Sequence, residues 1–111
     1  MDELTKKRVI KIMNDYINKK LPLQLQNQIK LNYMIRDHII ILIHERPVLK
    51  SEIWQQHEIA QIKLDKEGWV VYHKDNTGNW QQIKEIKPNS SFEKQLQIVD
   101  QDKNGLFTIK N

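Results

Sequence analysis

Gln28, Ile29, Lys30, Leu31, Asn32, Tyr33, Met34, Ile35 and Arg36, followed after Asp37 and His38 by Ile39, Ile40, Ile41, Leu42 and Ile43, form the stretch on which the fold turns. Ile29, Leu31, Tyr33 and Ile35 alternate with Gln28, Lys30, Asn32 and Arg36, the period-two pattern of a half-buried strand. Arg36, Asp37 and His38 make a short polar break, so a hairpin is the economical connection to the next segment. That segment is aliphatic at every position from Ile39 to Ile43, which places apolar groups on both faces of a sheet and marks a central strand. Pro47 ends its pairing.

Working outward, Val9, Ile10, Met13, Tyr16 and Ile17 recur at spacings of three and four, the mark of an amphipathic helix. Thr5 or Asp2 supplies its cap, and Pro22 disfavours helical geometry at Leu21, so the helix should stop near Lys19 or Lys20. Downstream, Val48 to His57 has no clear period and reads as a loop with a short turn around Ser51 to Trp54. Ala60, Ile62 and Leu64 then alternate with Gln61, Lys63 and Asp65, Lys66 to Gly68 turn the chain, and Trp69 to His73 returns. Asp75 to Asn79 is another turn, and Trp80 to Ile86 a weaker fifth strand. After Pro88, Ser90 and Glu93 have capping-box spacing, with Phe92, Leu96 and Val99 at helical intervals. Asn104 and Gly105 should stop this helix, leaving Leu106 to Ile109 as a short extended tail.

The expected architecture is α+β, in the order αβββββα. A five-stranded, mainly antiparallel meander carries helices near residues 3–20 and 90–102, both packed on one sheet face. The 111 residues suit a single domain, residues 1–111, and three glycines and three prolines leave no room for a flexible linker. The absence of cysteine excludes disulfides, thiolate metal sites and thiol nucleophiles. No apolar signal segment follows Met1, and Ile39 to Ile43 is far too short to span a bilayer, so a cytoplasmic protein with no membrane partner is expected.

Net charge is +4, but residues 1–50 hold ten Lys or Arg against five Asp or Glu, so the basic excess lies wholly in that half. Lys6, Lys7, Arg8, Lys11, Lys19 and Lys20 are the candidates for contacting nucleic-acid phosphates, although an ordinary solubilising surface has comparable charge. Trp54, Trp69 and Trp80 would either stack on bases or, as hairpin tryptophans usually do, pack on cross-strand neighbours.

Asp100, Asp102, Asn104 and Gly105 match the start of a calcium-binding loop. The closing bidentate Glu is replaced by Asn111, and no exiting helix follows, so a helix end with solvated acids is expected and no metal ligand set is assigned. His38, His44, His57 and His73 lack zinc-ligand spacing, and no phosphate loop, nucleophile elbow or cofactor motif is present. His44, Glu45 and Arg46 end the most apolar strand where sheet meets loop, a rim that often holds sites and equally often local ion pairs.

Pro22, Gln28, Leu31, Tyr33, Glu45-Arg46-Pro47, Ala60, Trp69 to Tyr72, Trp80, Val99-Asp100, Asp102, Gly105 and Phe107 stand in an order that resembles the bacterial family named Domain of Unknown Function 3024. The resemblance runs from the first helix to Phe107 and implies a single-domain bacterial protein, with no activity, cofactor or site residue to carry over. In that family an aromatic commonly follows Arg-Pro, and His and Tyr follow the later Trp, whereas Val48, Gln81 and Ile83 stand here.

Three functional classes follow. The first is a non-enzymatic binding or interaction module, self-associating as a homodimer or binding a protein partner; the second is weak, non-specific nucleic-acid binding; the third is a small metal-dependent hydrolase or nuclease using Glu45 and other acids. Self-association draws on the doubled pattern of the second strand. With the helices on one face, the other must present either Ile40 and Leu42 or Ile39, Ile41 and Ile43, joined by Val71 or by Val70 and Tyr72. A twofold dimer would cover it, or the loop from Val48 to His57, carrying Leu49, Ile53 and Trp54, would fold back as a lid.

Overall fold

The computed structural model describes residues 1–20, 29–48 and 52–107. Helix α1 (Glu3–Lys20) is capped by Asp2, whose Oδ1 accepts the Thr5 N–H at 2.7 Å. That backbone bond holds the Asp2 carboxyl below the ordinary carboxylate value. Val9 and Met13 are the buried residues of α1, and Lys19 and Lys20 occupy its last turn, where cations suit the helix dipole. Leu21, Pro22 and Gln28, which bear on the helix stop and the strand start, lie outside the described residues, as do Leu49, Ser51, Ile109 and Asn111.

Five strands follow: β1 (Lys30–Arg36), β2 (Ile39–Pro47), β3 (Trp54–Asp65), β4 (Gly68–Lys74) and β5 (Trp80–Gln82). They form one sheet in chain order, every pairing antiparallel, so the meander is the observed topology. The register aligns Ile35, Ile40, Ile62 and Val71 across four strands, and Tyr33, Leu42 and Ala60 across three. With Val9 and Met13 of α1 and Phe92, Leu96 and Val99 of the second helix, these residues make the core, so both helices lie on one side of the sheet.

The polar stretch after Val48 departs from its expected loop. β3 begins at Trp54, and Trp54, Gln55, Gln56 and His57 pair with Pro47, Arg46, Glu45 and His44. Ladder bonds to the end of β2 override a sequence with little strand propensity of its own. Beyond the last pair, Pro47 with Trp54, the Val48 N–H bonds to the Ile53 carbonyl at 3.0 Å. Ile53 is 68% exposed, and no lid is built from residues 54–57. The register shifts between Leu42 and Ile43, where Ala60 and then Glu58 are the partners and Ile59 is the extra residue of a bulge. Ile59 packs with Ala60 against the core.

β5 ends at Gln82, four residues before its expected limit. The chain still follows the edge of β4: Ile83 N–H bonds to the Val71 carbonyl, and Asn89 exchanges backbone hydrogen bonds with Trp69 in an isolated bridge. This strip leads to α2 (Phe92–Gln101), capped by Ser91, one residue later than expected, with its side chain accepting from the Lys94 N–H. Asn89 Oδ1 takes the Ser91 N–H at 2.8 Å, which shifts the cap by holding Ser90 outside the helix. Trp69 and Phe92 meet edge to face at 5.0 Å between ring centroids. Asp102, in the left-handed region at φ 45°, ends α2 in place of Asn104 or Gly105. Its Oδ1 accepts the Phe107 N–H at 3.1 Å, and Phe107 is buried in the core.

Candidate interaction face

Pairing fixes which side chains point away from the helices. Arg36, Ile39, Lys63 and Val70 make one row across the sheet; Met34, Ile41, Gln61, Tyr72 and Gln82 the next; Asn32, Ile43 and Glu58 a third, which the Lys74–Glu58 ion pair joins to Lys74 and Trp80. Lys30, Glu45 and Gln56 continue the face toward Pro47 and Trp54. The choice left open by the sequence is therefore resolved: Ile39, Ile41 and Ile43 with Val70 and Tyr72 lie on the face away from the helices, while Ile40, Leu42 and Val71 lie in the core. Met34 is 39% exposed, and Ile39, Ile41 and Tyr72 are half-buried.

The apolar centre is framed by aromatic and charged groups. Lys30 Nζ sits 4.1 Å from the centroid of Trp54, and Lys74 Nζ lies 5.1 Å from that of Trp80. Lys74 also pairs with Glu58 at 3.2 Å, and Gln56 donates to Glu45 Oε1 at 2.7 Å. Trp80 thus packs on its cross-strand neighbour Lys74, as expected of a hairpin tryptophan, and Trp69 is core. Lys30, Glu58, Lys74 and Gln61 were not singled out by the sequence. The signal that finds them is strand parity, once the alternation of β1 says which side is wet.

The rim at the end of β2 is split by the same parity. Glu45 faces the open side with Gln56, whereas His44 and Arg46 line a small cavity of about 150 Å³ on the helix side, shared with Tyr16, Lys20 and Asp100. Asp100 Oδ1 accepts from Tyr16 at 3.0 Å and pairs with Lys20 at 2.8 Å. Burial beside this carboxylate raises the Tyr16 hydroxyl pKa above its ordinary value. Burial, reinforced by the neighbouring Arg46, Lys20 and His57, lowers His44 to about 4. His44 is therefore a neutral imidazole at physiological pH, held in a corner whose acid is already paired.

Of the six N-terminal cations, Lys7 and Lys11 share one outward stripe of α1 at a spacing of four, whereas Lys20 turns toward α2 and its Asp100 pair. Lys6, Arg8 and Lys19 are exposed on other sides of the helix, so α1 does not align all six. Among the described residues, no group of three or more His, Asp or Glu side chains is arranged to hold a metal ion, and no helix is long and apolar enough to cross a membrane.

Sequence comparison adds the family. A family model described as Domain of unknown function (DUF3024) matches residues 1–109. No curated protein and no solved structure matches the chain. With nearly its whole length covered, from Asp2 at the cap of α1 through the five strands to Phe107 in the core, the chain belongs to the DUF3024 family of domains of unknown function.

Proposed function

We propose that this chain is a non-enzymatic interaction module whose working surface is the open sheet face, and that a second copy of the chain covers it. The observation that supports this reading is the placement of both helices on one side of the sheet, which leaves Met34, Ile39, Ile41 and Tyr72 partly in water. Five strands at about 4.8 Å spacing and five side-chain rows make a face of roughly 600–700 Å². That is close to the roughly 800 Å² per partner of a standard specific interface.

A twofold axis along the Met34–Ile41–Gln61–Tyr72 row suits the charges. It turns the Ile39 row of one copy onto the Ile43 row of the other, bringing Lys63 over the partner's Glu58. The twist of each sheet sets the two strand directions about 30° apart. Sedimentation equilibrium tests the reading. A dimer of the 13.4 kDa chain is expected at micromolar concentration, and Ile41→Lys should yield a folded monomer. A 13.4 kDa species at every concentration would overturn it.

A further inference from the structure

Away from the open face, α2, the strip from Ile83 to Asn89 and the loop from Asp102 to Phe107 enclose a groove of about 440 Å³. Its walls are apolar, formed by Ile83, Ile86, Ile98, Leu106 and Phe107. Its charged residues are two acids, Glu85 and Asp102, and two bases, Lys87 and Lys103, so it has no net preference for an ion of either sign. The volume falls within the roughly 300–1,000 Å³ of small-molecule sites.

Gln95 also lines this groove and is 0% exposed. Its Nε2 donates to the carbonyls of Trp69, at 2.8 Å, and Lys87, at 3.0 Å. Two backbone carbonyls can only accept, so the amide orientation is fixed and cannot be exchanged by a flip. Oε1 is left buried with no hydrogen-bond partner among the described residues, and it is the only such side-chain atom there. Buried acceptors are nearly always satisfied, so this one calls for a donor that the described residues do not supply.

We propose that the groove is a binding site for a neutral, largely apolar small molecule carrying one N–H or O–H donor, which Gln95 Oε1, covered in the free protein, accepts as the groove walls part around it. The aliphatic walls and Phe107 hold the apolar body, and the single acceptor sets its orientation. Ile98, 39% exposed on α2, forms the outer lip.

Indole, an apolar ring with one N–H, is a direct probe, and 1-methylindole is the same ring without the donor. In a titration followed by ¹H–¹⁵N correlation spectra, indole should shift the Gln95 side-chain amide and the backbone signals of Ile98, Leu106 and Phe107. The expected dissociation constant is about 1 mM or tighter, with 1-methylindole about tenfold weaker for want of one hydrogen bond to a buried acceptor. Gln95→Met also unpairs two backbone carbonyls and is a poor test on its own. Ile98→Glu, at a half-open position, should keep the native spectrum and abolish the shifts. Equal affinity for the two probes, shifts elsewhere, or a groove unresponsive to indole, as when a trapped water alone serves Gln95, would overturn the proposal.

Discussion

Ile40 and Leu42 are 1% and 2% exposed beneath the helices, while their chain neighbours Ile39 and Ile41, no less apolar, lie half-buried on the opposite face. β2 has no preference between its two sides. The strands beside it decide: β1 and β3 place Tyr33, Ile35, Ala60 and Ile62 on one face and Asn32, Arg36, Gln61 and Lys63 on the other. Hydrogen-bond register carries that choice into β2, since Tyr33 and Ala60 flank Leu42. A strand aliphatic throughout therefore tells less about its own orientation than its polar neighbours do.

A pair of single substitutions separates the two faces of β2 most strongly. Leu42→Lys puts a charge under both helices and should cost about 4–5 kcal/mol, most of the stability of a small domain. Ile41→Lys, one residue away, should cost about 1 kcal/mol in the isolated chain. Urea unfolding followed by circular dichroism measures both, and equal costs would erase the distinction between the faces.

A smaller effect is expected at Gly68, where the chain enters β4 against the strip that leads to α2. Gly68 has φ 119°, and an added Cβ would lie 2.7 Å from the Asn89 carbonyl oxygen. Gly68→Ala should therefore cost about 3 kcal/mol, from a strained φ plus a backbone clash with the Trp69–Asn89 bridge. The same melts check it, with loss of near-ultraviolet signal from Trp69 marking displacement of the strip.

Acid should act more gently, on the covered side through His44. His44, facing Tyr16, Lys20, Arg46, His57 and Asp100, is held neutral down to about pH 4, below its ordinary value of 6.5. The unfolded chain binds this proton first, so the contribution is complete above pH 6.5 and is lost as pH falls from 6.5 toward 4. Discounted for partial exposure, the loss is about 1–2 kcal/mol. Urea midpoints at pH 7 and pH 4.5 should differ less in His44→Leu than in the parent; an unchanged difference would show that His44 does not carry the effect.

Period and punctuation along the chain were enough for the order of elements, the hairpins and the helix-lined core, because α1, β1 and the second half of β3 each carry a local repeat that matches one secondary structure. The candidate face was legible only as a pair of alternatives, Ile40 with Leu42 or Ile39 with Ile41 and Ile43. Tertiary structure settled what local pattern could not encode. The polar start of β3 is a strand because the end of β2 offers it a ladder, and Ile59 bulges because the two strands differ by one residue between fixed pairs. Gln95, which reads as an ordinary polar helix position, is buried because two carbonyls outside its helix, those of Trp69 and Lys87, take its amide. In each case the deciding partner is a backbone group brought close by folding, and a pattern of side chains along one chain carries no record of that distance.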